Sequence, residues 1–261
     1  MPELGCNYSP ELMSLLEDGR VDVDWIKLSR WEVFREELEV ARPARPVLLH
    51  VLPSAGSPSF DDADWDGLNR AMRDCGSPHT GLHLSTARAD WGDGEPSDGE
   101  IVERLAAGTR LWASRMEAPL LVENVPFHDG ARGCLRPATD PEVIREVCER
   151  ADVGLLLDLA HLRVSCWHRA EDAHAYLQRL PLERVREIHV CGPEMTEDRG
   201  LLDRHLEMRA EDYELLRHAL EWTSPRVVSL EYGGTGPKFI WRSEIDVLER
   251  QLHMLDAIVR G

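Results

Sequence analysis

The chain has 261 residues, 43% of them hydrophobic, and its 30 lysines and arginines against 48 aspartates and glutamates give a formal net charge of −18. That composition is ordinary for a globular protein. The charge disfavours nucleic acid and anionic membrane surfaces, because phosphate binding rests on Lys/Arg patches.

No apolar run approaches the ~18 residues that cross a bilayer. The start Met1-Pro2-Glu3-Leu4-Gly5 lacks a basic region leading into an apolar stretch, so no secretory signal and a cytoplasmic location are expected. The six cysteines, Cys6, Cys75, Cys134, Cys148, Cys166 and Cys191, form no CxxC pair and are expected to be reduced. Cys191, just past a polar strand end, is the one expected to face a site.

Taken in chain order, short apolar runs at 3–7, 23–28, 46–52, 79–84, 119–124, 153–158, 185–190 and 226–231 predict strands, several of them the leucine-rich or β-branched runs of a buried parallel sheet. Helical patterns fill the gaps. Ser9-Pro10-Glu11 opens the first, with an N-cap serine and proline at the first helical position. Ile101-Val102-Leu105-Ala106, Val143-Ile144-Val147-Cys148, Ala173-Tyr176-Leu177-Leu180 and Leu215-Leu216-Ala219-Leu220 keep an i, i+3/i+4 stripe, and Ile245-Leu248-Leu252-Leu255-Ile258 closes the chain. The acidic, glycine-rich loop 90–99 follows the fourth strand and is expected over the barrel mouth. Alternating strands and helices at roughly 33 residues per unit predict an α/β fold, a (β/α)8 TIM barrel forming a single domain over 1–261. An open doubly wound sheet would usually carry a glycine-rich phosphate loop after its first strand, where this chain has Asn7-Tyr8-Ser9-Pro10.

Catalytic residues of such barrels sit at the C-terminal strand ends. Here those ends carry His50, His83, Glu123 with Asn124, Asp158 followed by His161, His189 and Glu231, and the loop after the seventh strand adds Asp203 and His205. Period-2 alternation turns Glu123, Asp158 and His189 inward together. An extended backbone at Asp203-Arg204-His205 would put both ligand-type groups on one side. Converging carboxylates repel one another and lose hydration, so they need cations. No strand end supplies an arginine, which points to metal ions. Imidazole with carboxylate suits iron, zinc or manganese, and the scarcity of thiolates argues against a structural zinc site. Nine candidate ligands (His50, His83, Glu123, Asp158, His161, His189, Asp203, His205 and Glu231) exceed the needs of one ion, so two or three are expected.

Asn7, Asn124 and Tyr232 are candidate substrate contacts. Lys27 and Lys238 read as surface lysines, with a proton-shuttle or phosphate role only in an isomerase or hydrolase. His79, His128, His168, His174, His218 and His253 lack the rim register and read as structural or surface groups. Spacing alone leaves two chemistries open: dioxygen activation at non-haem iron, and Lewis-acid isomerisation or hydrolysis.

The blocks Leu48-Leu49-His50-Val51, His83-Leu84-Ser85, Leu121-Val122-Glu123-Asn124, Leu155-Leu156-Leu157-Asp158, Glu187-Ile188-His189-Val190 and Asp203-Arg204-His205, with Leu230-Glu231 at the last strand, occur in this order. Together they resemble the multinuclear non-haem iron-dependent oxidative enzymes, formerly domain-of-unknown-function family 692, of the xylose-isomerase-like barrels. The resemblance spans 4–231. It implies a TIM barrel with two or three irons in a mixed-valent Fe(II)/Fe(III) centre and dioxygen as co-substrate. It also implies a ribosomal peptide substrate, often modified at cysteine, or a small natural product, and in many members a separate peptide-presenting partner protein. Carried over position by position, it makes His50, His83, Glu123, Asp158, His189, Asp203, His205 and Glu231 iron ligands. The chain departs from the family pattern at His161, where asparagines are common, at Gly192-Pro193, where Gly-His is common, and at Glu231-Tyr232-Gly233-Gly234, where Glu-Arg-Asp is common. These departures bear on the third metal and the substrate and strengthen the alternative, a divalent-metal sugar isomerase, epimerase or hydrolase of the xylose-isomerase-like type, while the iron-dependent oxidative enzyme is the expected function.

Overall fold

In the computed structural model, which describes every residue except 31, 52, 58–62, 93, 129–133 and 236 and the side chains of 237 and 238, all eight expected strands form. In chain order the strands are β1 (Glu3–Asn7), β2 (Trp25–Ser29), β3 (Val47–His50), β4 (Thr80–His83), β5 (Leu120–Glu123), β6 (Gly154–Asp158), β7 (Val185–Val190), β8 (Gly192–Thr196), β9 (Gly200–Leu206) and β10 (Val227–Leu230). The helices are α1 (Pro10–Glu17), α2 (Phe34–Ala41), α3 (Trp65–Cys75), α4 (Asp98–Arg115), α5 (Pro141–Ala151), α6 (Leu159–Arg169), α7 (Ala173–Arg179), α8 (Ala210–Trp222) and α9 (Ile245–Val259). The second strand starts and ends later than expected, and the third is shorter; its expected last residue, Leu52, lies outside the described residues. None of the helices is long and apolar enough to cross a membrane, among the described residues.

The eight barrel strands lie in the order β3-β2-β1-β10-β7-β6-β5-β4, each adjacent pair parallel. The two ends of this sheet, β3 and β4, are tied rather than laddered. His83 N donates to Pro53 O at 3.1 Å, Ala55 N to His83 O at 2.9 Å, and Thr80 Oγ1 to Leu49 O at 3.1 Å. The result is a nearly closed TIM barrel of one α/β domain.

Local chemistry accounts for the elements. Ser9 Oγ accepts from Leu12 N at 3.1 Å and Pro10 fills the first helical position of α1, satisfying an amide that the helix itself cannot. Ser97 and Glu100 bond each other's backbone amides at the start of α4, a reciprocal cap. The outward strand residues, among them Leu4, Ile26, Leu82, Val122, Leu155, Leu157, Ile188 and Val228, are wholly buried in one core shared with the helices. Inside the barrel a separate plug of Trp25, Leu48 and Val227 fills the interior. Gly81 faces that interior, where a Cβ would lie 3.0 Å from His50 Nε2 and from Leu156 Cδ1. The missing side chain is what admits the His50 ring.

Between β7 and α8, where the sequence predicts a loop, the chain adds the antiparallel hairpin β8–β9. Gly200 turns it at φ +72°, and a Cβ there would strike the Trp167 ring at 2.1 Å. The loop 90–99 is anchored on α4: the Arg104 guanidinium lies 3.7 Å over the Trp91 ring and also donates to Asp90 O, while residue 93 lies outside the described residues.

Candidate metal centre

Strand register carries the expected rim residues to one level. His83 is paired with Glu123, Asp158 with His189, and Ser229, two residues before Glu231, also with His189. Glu123, Asp158, His189 and Glu231 are all buried, as is His50. Glu123 is the hub. Its carboxylate lies 2.7 Å from His50 Nε2, 3.5 Å from His83 Nε2, 3.5 Å from His161 Nδ1 and 3.8 Å from His189 Nδ1.

The Asp158-x-x-His161 spacing has a local cause. Asp158 is the N-cap of α6, and its Oδ1 accepts from His161 N at 2.7 Å. The first turn then folds the His161 ring back over the cap, with Nδ1 2.8 Å from Asn124 O and Nε2 3.4 Å from Asp203 Oδ2. The other oxygen, Asp158 Oδ2, has no hydrogen-bond partner among the described residues, although Asp158 is wholly buried. A buried carboxylate oxygen without a hydrogen bond is costly unless positive charge meets it; here only the His161 and His189 rings approach it, at 3.6 and 3.9 Å.

Four overlapping triads place their ligand atoms within 4.8 Å of one another: His50-Glu123-His189, Glu123-Asp158-His161, Asp158-His189-Glu231, and Cys191-His205-Glu231. Glu123, Asp158, His189 and Glu231 each serve two triads, so one carboxylate can face two adjacent ions. Asp203 flanks the string, 3.1 Å from His205 Nε2. All nine expected ligands therefore converge. His205 does so by a route the sequence did not suggest: its backbone is not extended but left-handed, at φ 52°.

The electrostatics fit an acidic site that holds protons in place of metal. Burial and Lys27 push the His189 imidazolium toward neutrality, but Glu231, Glu187 and Glu123 outweigh them and lift it to about 10. Burial is likewise overcome at His161 by Asp158 and Asp203, and at His205 by Asp203 and Glu231, so both are raised. His50 goes the other way, down to about 4, because burial and Lys27 dominate there. Burial lowers His83 as well. Burial and the charges of Glu231, Glu123 and Asp203 push Asp158 up.

Lys27 and His79, which read as surface or structural groups in the sequence, are part of the assembly, together with Glu187 and Arg242. Lys27 is not a surface lysine: it is 4% exposed, donates to Glu231, and lies 2.9 Å from His189 Nε2. As an inward residue of β2 it has no other place to go. Glu187, two residues before His189 and on the same face, lies 3.0 Å from His189 Nε2 and 2.5 Å from His79 Nε2. His79 thus ends a buried His79–Glu187–His189 relay of contacts, of the carboxylate–histidine kind that orients metal-bound imidazoles. Arg242, also buried, contacts His205 Nδ1 and leaves its Nε without a partner among the described residues. The period-2 signal was present for Glu187; nothing local in the sequence marked Arg242.

The expected substrate contacts divide. Asn7 lines a cavity of about 430 Å³ beside the rim, with Tyr8, Lys27, Arg30 and Arg242. Asn124 is occupied: its Nδ2 donates to Asp158 O at 2.9 Å and its Oδ1 accepts from Asp158 N at 2.8 Å, so it positions Asp158 instead. Tyr232 is buried in the hydrophobic core and its hydroxyl accepts from Glu244 N at 3.3 Å, because alternation after inward Glu231 turns it outward. The Lys238 side chain lies outside the described residues.

Comparison with known proteins adds a family. Residues 3–249 match the family described as RiPP precursor modification enzyme MbnB/TglH/ChrH. A UPF0276 protein of Pseudomonas aeruginosa is 32% identical over 137 residues, 52% of this chain and 47% of its own length. Another, from Neisseria meningitidis, is 26% identical over 193 residues, 70% of this chain and 66% of its own. The match to the Pseudomonas relative thus spans about half its length. Among solved structures, a D-tagatose 3-epimerase-like protein superposes with TM-score 0.66 at 15% identity, covering 99% of this chain and 97% of its own. The IOLI protein with a bound zinc atom gives 0.67 at 12%, with 98% of each chain covered. These likenesses show the fold, a TIM barrel. The chain belongs to the MbnB/TglH/ChrH family of RiPP precursor modification enzymes.

Proposed function

We propose that this chain is an iron-dependent oxidative enzyme acting on a ribosomally made peptide. The string of triads joined by shared buried carboxylates is the observation that carries the reading. Nitrogen and carboxylate donors of this kind suit iron, and Asp158 Oδ2, which accepts no hydrogen bond among the described residues, is a donor free to meet a cation. When bound, two or three irons in a mixed-valent Fe(II)/Fe(III) state supply one-electron chemistry with dioxygen as co-substrate.

The chain's own residues then have distinct tasks. His50, Glu123 and His189 would hold one ion, with His83 beside Glu123; Asp158 and His161 would join Glu123, and Glu231 would join Asp158 and His189, at the neighbouring positions, with His205 and Asp203 at the far end. Asn124 fixes Asp158, and Glu187 fixes His189. The cavity of about 430 Å³ opens beside these groups and is lined by Arg30 and Arg242 as well as Glu32 and Glu37, a mixed-charge wall suited to both the carbonyl and the amide groups of a peptide. At its edge Phe239 precedes Ile240 and Trp241, which are 75% and 46% exposed. That apolar rim suits an extended peptide or a separate protein presenting it.

The test is oxygen consumption. Anaerobically iron-loaded protein is mixed with the candidate precursor peptide and exposed to oxygen, with mass spectrometry of the peptide. Oxygen uptake coupled to a mass change in the peptide is expected. Ketose epimerisation by the manganese, cobalt or zinc form without oxygen would replace this reading with a sugar-isomerase one.

A further inference from the structure

Cys191 is set apart from the other cysteines. Cys6, Cys148 and Cys166 belong to the hydrophobic core, and Cys75 and Cys134 pack against it; Cys191 does neither, among the described residues, although it is 2% exposed. Alternation along β7 explains its direction: two residues beyond inward His189, it turns to the same face. Its surroundings are polar. Sγ lies 3.5 Å from Asp203 Oδ1, and its ligand atom stands within 4.8 Å of those of His205 and Glu231. Glu231 is suited to join them, since its Oε1 is engaged by Lys27 while its Oε2 points toward His205 Nε2 at 3.7 Å. A second observation points to a cation here: Oδ2 of wholly buried Asp158, in the adjoining triad that shares Glu231, accepts no hydrogen bond among the described residues and meets only the His161 and His189 rings, at 3.6 and 3.9 Å.

We infer that Cys191, His205 and Glu231 form a thiolate-containing metal position at the β7–β9 edge of the centre. The inference rests on the metal-centre reading above but goes beyond it, because that reading uses nitrogen and oxygen ligands alone. On binding a divalent ion the Sγ–H bond breaks, its proton is released to solvent, and the sulfur electron pair goes to the metal; no electron changes hands. A sulfur donor makes this position selective for iron, cobalt or zinc over magnesium, calcium or manganese, which prefer oxygen. The edge near Glu123, with imidazole and carboxylate alone, discriminates less sharply against manganese.

The test uses cobalt(II) as the probe on the full-length chain under anaerobic conditions. Expected are at least two cobalt ions per chain, a near-ultraviolet thiolate-to-cobalt charge-transfer band, and sulfur scattering in the cobalt X-ray absorption spectrum at about 2.3 Å, the distance of a zinc–thiolate bond. Cys191→Ser should lose the band and the sulfur shell while retaining the other five cysteines. Wild-type protein that binds cobalt with no sulfur scattering overturns the thiolate position and leaves the metal centre standing. A band that survives in Cys191→Ser also overturns it. Failure to bind cobalt at all overturns both. The X-ray measurement needs only the wild-type chain, so poor folding of the variant leaves the inference open to refutation.

Discussion

Replacing Glu123 by glutamine removes one buried charge and almost no volume. In the metal-free protein Glu123 faces His50, His83, His161 and His189. His50 and His83 are lowered and neutral near pH 7, whereas His161 and His189 are raised and charged. The substitution therefore takes one counter-charge from each of two buried imidazolium groups, while Asp158 and Asp203 stay beside His161 and Glu231 and Glu187 beside His189, so the cost of a broken buried pair is an upper bound. Breaking a buried ion pair outright costs about 3–5 kcal/mol. At about 2–4 °C per kcal/mol for a domain of this size, the metal-free melting temperature should fall by no more than roughly 6–20 °C. Because Glu123 serves two of the triads, the loaded variant should also hold fewer ions than wild type. Differential scanning calorimetry after chelation, with elemental analysis after reloading, measures both. A metal-free Glu123→Gln protein melting within about 1 °C of wild type and reloading to the full count would refute the hub role.

Metal loading should release protons, since His161, His189 and His205 are raised in the metal-free site and must deprotonate to coordinate. Protons compete below those raised values, so apparent affinity rises with pH by about tenfold per unit for each proton released; titration calorimetry in buffers of different ionisation enthalpy reads the number, and buffer-independent heat would contradict it. Asn124→Ala removes both hydrogen bonds that hold Asp158; stability should drop by about 1–3 kcal/mol and metal affinity by about 10–100-fold, as chelator competition would show. Lys27→Met strips Glu231 of its buried cation and should cost about 3–5 kcal/mol in the metal-free chain, read from the urea midpoint. The loaded protein should lose less, because a metal ion restores positive charge beside Glu231.

Much of this architecture was legible because it is locally encoded. Strands such as Leu155-Leu156-Leu157-Asp158 declare both their burial and, by alternation, the inward turn of their last residue. The rim ligands followed from counting strand ends. What was missed depends on pairing across the barrel. Lys27 sits among apolar neighbours on β2, and only the closure of β2 against β1 and β3 turns it onto Glu231. His79 stands at the opposite end of β4 from the rim, so its link to Glu187 is set by barrel geometry alone. The β8–β9 hairpin is hard to read because both strands mix polar with apolar residues and β8 begins with Gly192-Pro193. Tyr232 was misplaced by one position of alternation, which is enough to send a side chain from the mouth of the barrel into the helix layer.

The most direct measurement is metal content with Mössbauer spectroscopy on protein grown with enriched iron and purified without oxygen. Two or three irons per chain with a coupled ferrous–ferric signal are predicted. Stoichiometric zinc or manganese with little iron would contradict the account.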